Sequence, residues 1–168
     1  MILAFVTSER WTQQLPATEI PGARFVQRLS LASAMAAYAQ IILGAAVRHA
    51  ESGLFAHILG AVVVLGCMVT GVVAVLFTVK PKGFLRHAIL LLCLVTAQIV
   101  LGLVTLMVRV PKNAGGQLSA IQIYVPTLHL ALGALILATS LGMALKTYRF
   151  LGVPREEPSL PFGEGALS

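Results

Sequence analysis

Four long apolar segments constrain the fold of this chain more than any other feature. They lie at 29–47, 54–79, 85–108 and 120–146. Each has about the 20 residues that an α-helix needs to cross roughly 30 Å of hydrocarbon. Strands in lipid would leave backbone groups unpaired unless a barrel closed, and the segments lack the alternation of barrel strands. The sequence therefore predicts an all-α fold, an integral membrane four-helix bundle.

The composition agrees with a membrane protein. Hydrophobic residues make up 58% of the chain and charged residues 11%, whereas a soluble domain has about a quarter charged residues. The net charge of +6 comes from basic residues that stand singly between apolar runs. Because this pattern lacks a basic face with aromatic or polar readers, we expect membrane lipid as a partner and no nucleic acid.

The basic residues also predict an orientation, because cytoplasmic loops are enriched in lysine and arginine. Nine basic residues lie on one side of the predicted spans: Arg10, Arg24, Arg28, Lys80, Lys82, Arg86, Lys146, Arg149 and Arg155. Three lie on the other side: Arg48, Arg109 and Lys112. We therefore expect four spans in the cell (inner) membrane with both termini cytoplasmic. The chain then divides into a cytoplasmic or interfacial arm (1–28), a four-helix domain (29–147) and a flexible cytoplasmic tail (148–168).

A sequence repeat runs through the predicted spans. The segment QIILGAAVR at 40–48 returns as QIVLGLVTLMVR at 98–109, and each copy precedes a span with one histidine near its start, His57 or His129. Two repeated hairpins about a pseudo-two-fold axis would aim both imidazoles inward at one depth near the outer face. Ionisable residues in membranes usually face the bundle interior and have a function. The pattern favours a heme whose iron binds both histidines, which suits electron transfer or storage more than oxygen binding.

Small and basic residues recur at matching places around the two histidines. Gly60 and Gly133 follow His57 and His129 by one helical turn, and glycines also stand at repeat-related positions 44 and 102. Missing side chains there would let a flat macrocycle lie against the backbone. Arginine binds carboxylates through paired hydrogen bonds, so basic residues at the outer helix ends are expected partners for two propionates. The candidate cofactor-binding residues are His57, His129, Gly60, Gly133, Arg48, Arg109, Gly44 and Gly102, with His57 and His129 as metal ligands.

Each of these residues has a simpler interpretation. A single membrane histidine often makes only an interhelical hydrogen bond, and small residues permit close helix packing throughout membrane bundles. Arg48 and Arg109 would then only extend towards the interface. His87 opens the third span on the cytoplasmic side and is expected at the interface. His49 lies in the outer loop. It is expected to be a pH-sensitive neighbour of the site, a group on the substrate side or simply a solvated side chain.

The motifs in this order resemble the heme A synthase family, membrane enzymes of cytochrome oxidase assembly. The resemblance rests on QIILGAAVRHAESGL at 40–54, QIVLGLVTLMVRVP at 98–111 and VPTLHLALGALIL at 125–137, and it covers roughly residues 29–146. That family has eight helices in two four-helix halves, each with a histidine pair, and this chain is similar to one half. The resemblance implies a b-type or a-type heme held by His57 and His129.

The chain also departs from that family. Its first outer loop is short and lacks cysteines, and Leu54 stands where many members place a glutamate. Glu51 is the only nearby acid, and it is the candidate catalytic residue for proton transfer. One histidine pair cannot hold a cofactor heme and a substrate heme together. Either two copies form an eight-helix homodimer, or the protein binds heme without hydroxylating it. The expected protein partners are a second copy of this chain or a larger respiratory or photosynthetic complex.

Three hypotheses follow from the sequence. In the first, the protein is an oxidoreductase that converts a heme methyl group to a formyl group. In the second, it is a non-catalytic, b-type cytochrome-like subunit for electron transfer or structure. In the third, it is a structural bundle without a ligand.

Overall fold

Four long α-helices form almost all of the described chain. The structure, a computed structural model, describes residues 7, 11, 17–50, 52–79, 82–109 and 117–154. The helices are α1 (Ala23–His49), α2 (Leu54–Thr78), α3 (Lys82–Met107) and α4 (Ala120–Phe150). The strands β1 (Thr18–Glu19) and β2 (Leu151–Gly152) have two residues each and pair in parallel. The all-helical prediction with four long helices is therefore confirmed.

The helices pack in a closed ring. Each packs against its neighbour in the chain, and α4 returns to pack against α1, so α1 lies diagonally opposite α3 and α2 opposite α4. The bundle has two distinct ends. The terminal end contains the start of α1, the end of α2, the start of α3 and the end of α4. The loop end contains the end of α1, the start of α2, the end of α3 and the start of α4.

All four helices are long and apolar enough to cross a membrane. They have 27, 25, 26 and 31 residues, and at about 1.5 Å per residue the shortest is about 38 Å long. Many of their large apolar side chains face away from the bundle. Phe77, Met107 and Phe55 are 86%, 83% and 79% exposed. Such a continuous unpartnered apolar surface is typical of helices that lie in lipid.

Helices α1 and α4 extend beyond the predicted apolar segments because packing at the terminal end stabilises their extra turns. Ala23, Val26 and Gln27 are buried, so α1 begins before residue 29. The Gln27 amide donates to the main-chain oxygens of Thr147 at 3.4 Å and Leu151 at 2.9 Å. These bonds hold the end of α4 against α1, and residues 155–168 of the predicted tail lie outside the described residues.

Buried side chains are confined to the half of the bundle at the terminal end. The hydrophobic core there includes Val26, Met68, Val75, Leu91 and Met143. By contrast, none of the described residues in 38–63 and 96–135 is buried. These two ranges make up the half at the loop end, where the described side chains are all at least partly exposed.

Candidate histidine-pair site

Two imidazoles meet between the diagonally opposite helices α2 and α4. The ring centroids of His57 and His129 are 6.4 Å apart, and the ring planes are inclined by 79°. Both side chains are half-buried. They lie in the loop half of the bundle, where the described residues form no buried core. The structure thus brings together the two histidines singled out by the sequence repeat.

Each imidazole rests against a glycine of the preceding helix. A Cβ atom added at Gly44 would lie 3.2 Å from Cε1 of His57, and one added at Gly102 would lie 3.1 Å from Cε1 of His129. Both distances are shorter than the optimal carbon contact of about 3.5–4.0 Å. These two glycines therefore leave room for the imidazoles themselves, and their predicted contact with a macrocycle stays a prediction.

The other two candidate glycines face glutamines that the sequence reasoning did not include in the site. A Cβ added at Gly60 would collide with Oε1 of Gln40, and one added at Gly133 would lie 3.1 Å from Nε2 of Gln98. Gln40 and Gln98 occupy the same position in the repeated motif, four residues before the glycines that contact the imidazoles. Because the repeat places a glutamine at both positions, the sequence alone could have indicated Gln40 and Gln98 as residues of the site.

The two glutamines use their amides differently. Nε2 of Gln40 donates to the main-chain oxygen of His57 at 2.6 Å. Nε2 of Gln98 instead lies 3.4 Å from Nε2 of the His129 ring. One hairpin therefore fixes the backbone beside its histidine, and the other contacts the imidazole directly.

Four polar atoms of this site are buried without a hydrogen-bond partner. They are Oε1 of Gln40, Nδ1 of His57, Oε1 of Gln98 and Nδ1 of His129. Leaving a buried donor or acceptor unpaired costs about 1–3 kcal/mol. The same two atom types are unpaired in both hairpins, which is the arrangement expected where a ligand or a rearranged hydrogen bond completes the site.

The candidate arginines lie at the loop end and are exposed. Arg109 follows the end of α3, and its Nη2 donates to the main-chain oxygen of Val47 near the end of α1, at 3.5 Å. Arg48 lies four residues after Gly44, on the same face of α1. Their binding of propionates stays a prediction. His49 is exposed at the same end, and the predicted catalytic Glu51 lies outside the described residues.

His87 belongs to the opposite end of the bundle. Its Nδ1 lies 3.0 Å from the main-chain oxygen of Gly83, and both of its ring nitrogens lie 3.2 Å from Nζ of Lys146. The neighbours of His87 are thus a helix carbonyl and a second basic group at the terminal end. This placement separates it from His57 and His129, as the sequence led us to expect.

The spacing of the two rings fits coordination of a single metal from opposite sides. Imidazole nitrogens bind transition metals at about 2.0–2.1 Å and the ring centre lies about 1.1 Å further, so two opposed imidazoles have centroids about 6.3 Å apart. The observed separation is 6.4 Å. Within the described ranges, no group of three or more His, Cys, Asp or Glu side chains comes together to hold a metal ion.

The site thus combines two neighbouring imidazoles, two glycines that make room for them and two glutamines with unpaired oxygens. Comparison of this chain with protein-family models, curated proteins and solved structures finds no match.

Proposed function

We propose that this protein spans a membrane and binds a heme between His57 and His129, in the manner of heme A synthases. The ring separation of 6.4 Å carries the proposal, because two imidazoles on one metal are expected to have centroids about 6.3 Å apart. Simple interhelical hydrogen bonding would not require this spacing. It also would not require matched unpaired nitrogens in both rings.

The lack of buried residues around the pair supports a large apolar ligand. Described residues in 38–63 and 96–135 include no buried side chain, whereas the terminal half has a packed core. Protein interiors normally pack as densely as organic crystals. A flat macrocycle between the helices would add apolar contacts to the partly exposed side chains of the loop half.

A two-fold relation between the hairpins is part of the proposal. The contact between Gly44 and His57 corresponds to that between Gly102 and His129, with distances of 3.2 and 3.1 Å. Gln40 and Gln98 likewise oppose Gly60 and Gly133. These paired contacts support a pseudo-two-fold axis along the bundle, with one axial ligand from each half.

In this proposal the loop end faces away from the cytoplasm and both termini are cytoplasmic. The distribution of basic residues supports this orientation, because lysine and arginine are enriched on the cytoplasmic side. The site then lies near the outer surface of the inner membrane. Arg48 and Arg109, both exposed at this end, would reach the interface and bind the propionates there.

The chain's own residues would orient the heme and keep water away from most of it. The imidazoles of His57 and His129 would hold the heme, and side chains of the surrounding α-helices would contact it. When bound, the heme would supply one-electron redox chemistry. In the catalytic form of the proposal, the protein acts in heme A biosynthesis, and Glu51 is the residue predicted to transfer a proton.

A non-catalytic role in electron transfer is the second candidate. The observation in its favour is that the described residues form one histidine pair, while His87 lies at the other end beside Lys146. With both axial positions of one heme filled, a single copy would have no second pair for a substrate heme. A homodimer would supply one.

Heme loading of the purified protein tests the proposal. Hemin added to the protein in detergent is expected to give the absorption spectrum of a six-coordinate, low-spin heme. His57→Ala and His129→Ala should each abolish that spectrum, whereas His87→Ala, a control at the terminal end, should keep it. Retention of the wild-type spectrum in both site variants would refute heme ligation by this pair.

A second measurement separates the two candidates. The protein is expressed in a strain that makes heme O but no heme A, and the extracted hemes are separated by chromatography. Heme A among the products supports the enzyme. Bound but unmodified heme supports the electron-transfer protein.

A further inference from the structure

We propose that Gln98 is a positioning residue that sets the protonation pattern of the His129 imidazole, and through it the electron-donating strength of one axial ligand. This inference rests on the proposed heme site and assigns a specific role to one of its neighbours. It begins from the contact between Nε2 of Gln98 and Nε2 of His129 at 3.4 Å.

An imidazole has two nitrogens, and only one of them binds a metal. Histidines that bind metals almost always donate the other ring N–H to an oxygen, which fixes the tautomer and the ring orientation. Gln98 contacts one ring nitrogen of His129, and the other, Nδ1, has no partner. The carboxamide of Gln98 therefore contacts Nε2 of the His129 ring, and Nδ1 is the nitrogen that would bind the iron.

The unpaired oxygen of Gln98 is the acceptor that such a ligand needs. Oε1 of Gln98 is buried without a partner. Half a turn of the carboxamide about its last bond exchanges Oε1 and Nε2, so that the oxygen faces the imidazole and accepts its N–H. Metal binding at one nitrogen and this hydrogen bond at the other would together satisfy both unpaired atoms.

The equivalent residue in the other hairpin lacks this contact. Gln40 donates to the main-chain oxygen of His57 at 2.6 Å. A half turn of this carboxamide would set its oxygen against another carbonyl oxygen, which is unfavourable because both are acceptors. The hydrogen bonds of the two glutamine side chains therefore differ, and of these two carboxamides only that of Gln98 contacts a ring nitrogen.

The first test uses heme-free protein in detergent and needs no cofactor. Nitrogen NMR of the histidine side chains reports which ring nitrogen carries the proton. Gln98→Met, which keeps the length of the side chain and removes its hydrogen bonds, should move the His129 ring signals. Gln40→Met is the matched control and should move the His57 ring signals by less than half as much.

The second test measures the midpoint potential of heme-loaded protein. A stronger acceptor at the ring N–H makes the imidazole a better donor to ferric iron, so Gln98→Glu should lower the potential. Gln98→Met should raise it, and Gln40→Met should shift it by less than half as much. The added charge of Gln98→Glu would by itself lower the potential, so the rise in Gln98→Met is the result that depends on the hydrogen bond. Circular dichroism verifies that each variant is folded.

The outcomes separate this inference from the proposed function. Wild-type potentials in both Gln98 variants, or equal shifts in Gln40→Met, would overturn the role of Gln98 even if heme is bound. Loss of heme ligation by His57 and His129 would overturn the proposed function, and the NMR experiment would still test the contact of Gln98 with His129. If Gln98→Met does not fold, Gln98→Glu gives both readouts.

Discussion

The replacement of Gly102 by alanine tests the geometry of the site with a single methyl group. In the structure the added Cβ would lie 3.1 Å from Cε1 of His129. Carbon atoms pack best at about 3.5–4.0 Å, so the imidazole must retreat by roughly 0.5 Å. This retreat would change a ring separation of 6.4 Å that matches two ligands on one metal.

The size of the effect follows from the cost of overpacking. Extra methyl groups in packed sites cost about 1–3 kcal/mol. Because each 1.4 kcal/mol is tenfold in affinity, a cost of this size in the heme-bound state raises the dissociation constant for heme about 5- to 140-fold. Gly44→Ala should act in the same direction through His57, where the corresponding distance is 3.2 Å.

The assay is a titration of heme-free protein with hemin, followed by absorbance. Gly66 and Gly71 provide matched controls in α2, because a Cβ at either position would meet nothing within 4 Å. Gly66→Ala and Gly71→Ala should bind heme like the wild type. Wild-type affinity in folded Gly102→Ala and Gly44→Ala, or equal weakening in the controls, would refute the reasoning.

Three further predictions concern other parts of the chain. Arg109→Ala should weaken heme retention and shift the potential of the heme, since a cation stabilises nearby carboxylates. Arg86→Ala, at the terminal end, should do neither. If the two variants bind heme equally well in the titration, Arg109 lies at the interface without binding a propionate. Gln27→Leu should lower the free energy of unfolding by about 1–3 kcal/mol by leaving buried carbonyls unpaired, with an unchanged heme spectrum; thermal unfolding without a shift would contradict this. His49→Cys, made in a protein without the native cysteines, should react in intact cells with a membrane-impermeant thiol reagent added from outside. Labelling only after lysis would show that the predicted orientation is wrong.

The lengths of the apolar segments were sufficient to predict four helices, and local signals located some of their ends. Leu54 and Ala120 begin their helices as predicted. Gly53 precedes α2 with a φ of 79°, which glycine adopts readily, and Ser119 precedes α4 in a capping box with Gln122. Helix α1 began earlier than predicted because burial at the terminal end, which hydropathy does not encode, stabilises its first turn.

The pairing of the histidines was suggested by the repeat, but the details around them depend on three-dimensional packing. The contacts of Gly44 and Gly102 with imidazoles were not predictable from the sequence, because the rotation of each helix is set by all of its neighbours. The same rotation brings Gln98 to the His129 ring and Gln40 only to a backbone oxygen. Small differences in helix position thus separate two residues that are identical in the repeat.

Electron paramagnetic resonance of ferric, heme-loaded protein tests most directly whether His57 and His129 bind one iron from opposite sides. Two axial imidazoles make ferric heme low-spin, and nearly perpendicular rings, here at 79°, make its signal strongly anisotropic. We predict such a low-spin signal in the wild type and its loss in His57→Ala and His129→Ala. A high-spin ferric signal in the wild type would contradict the account, because at least one axial position would then lack an imidazole.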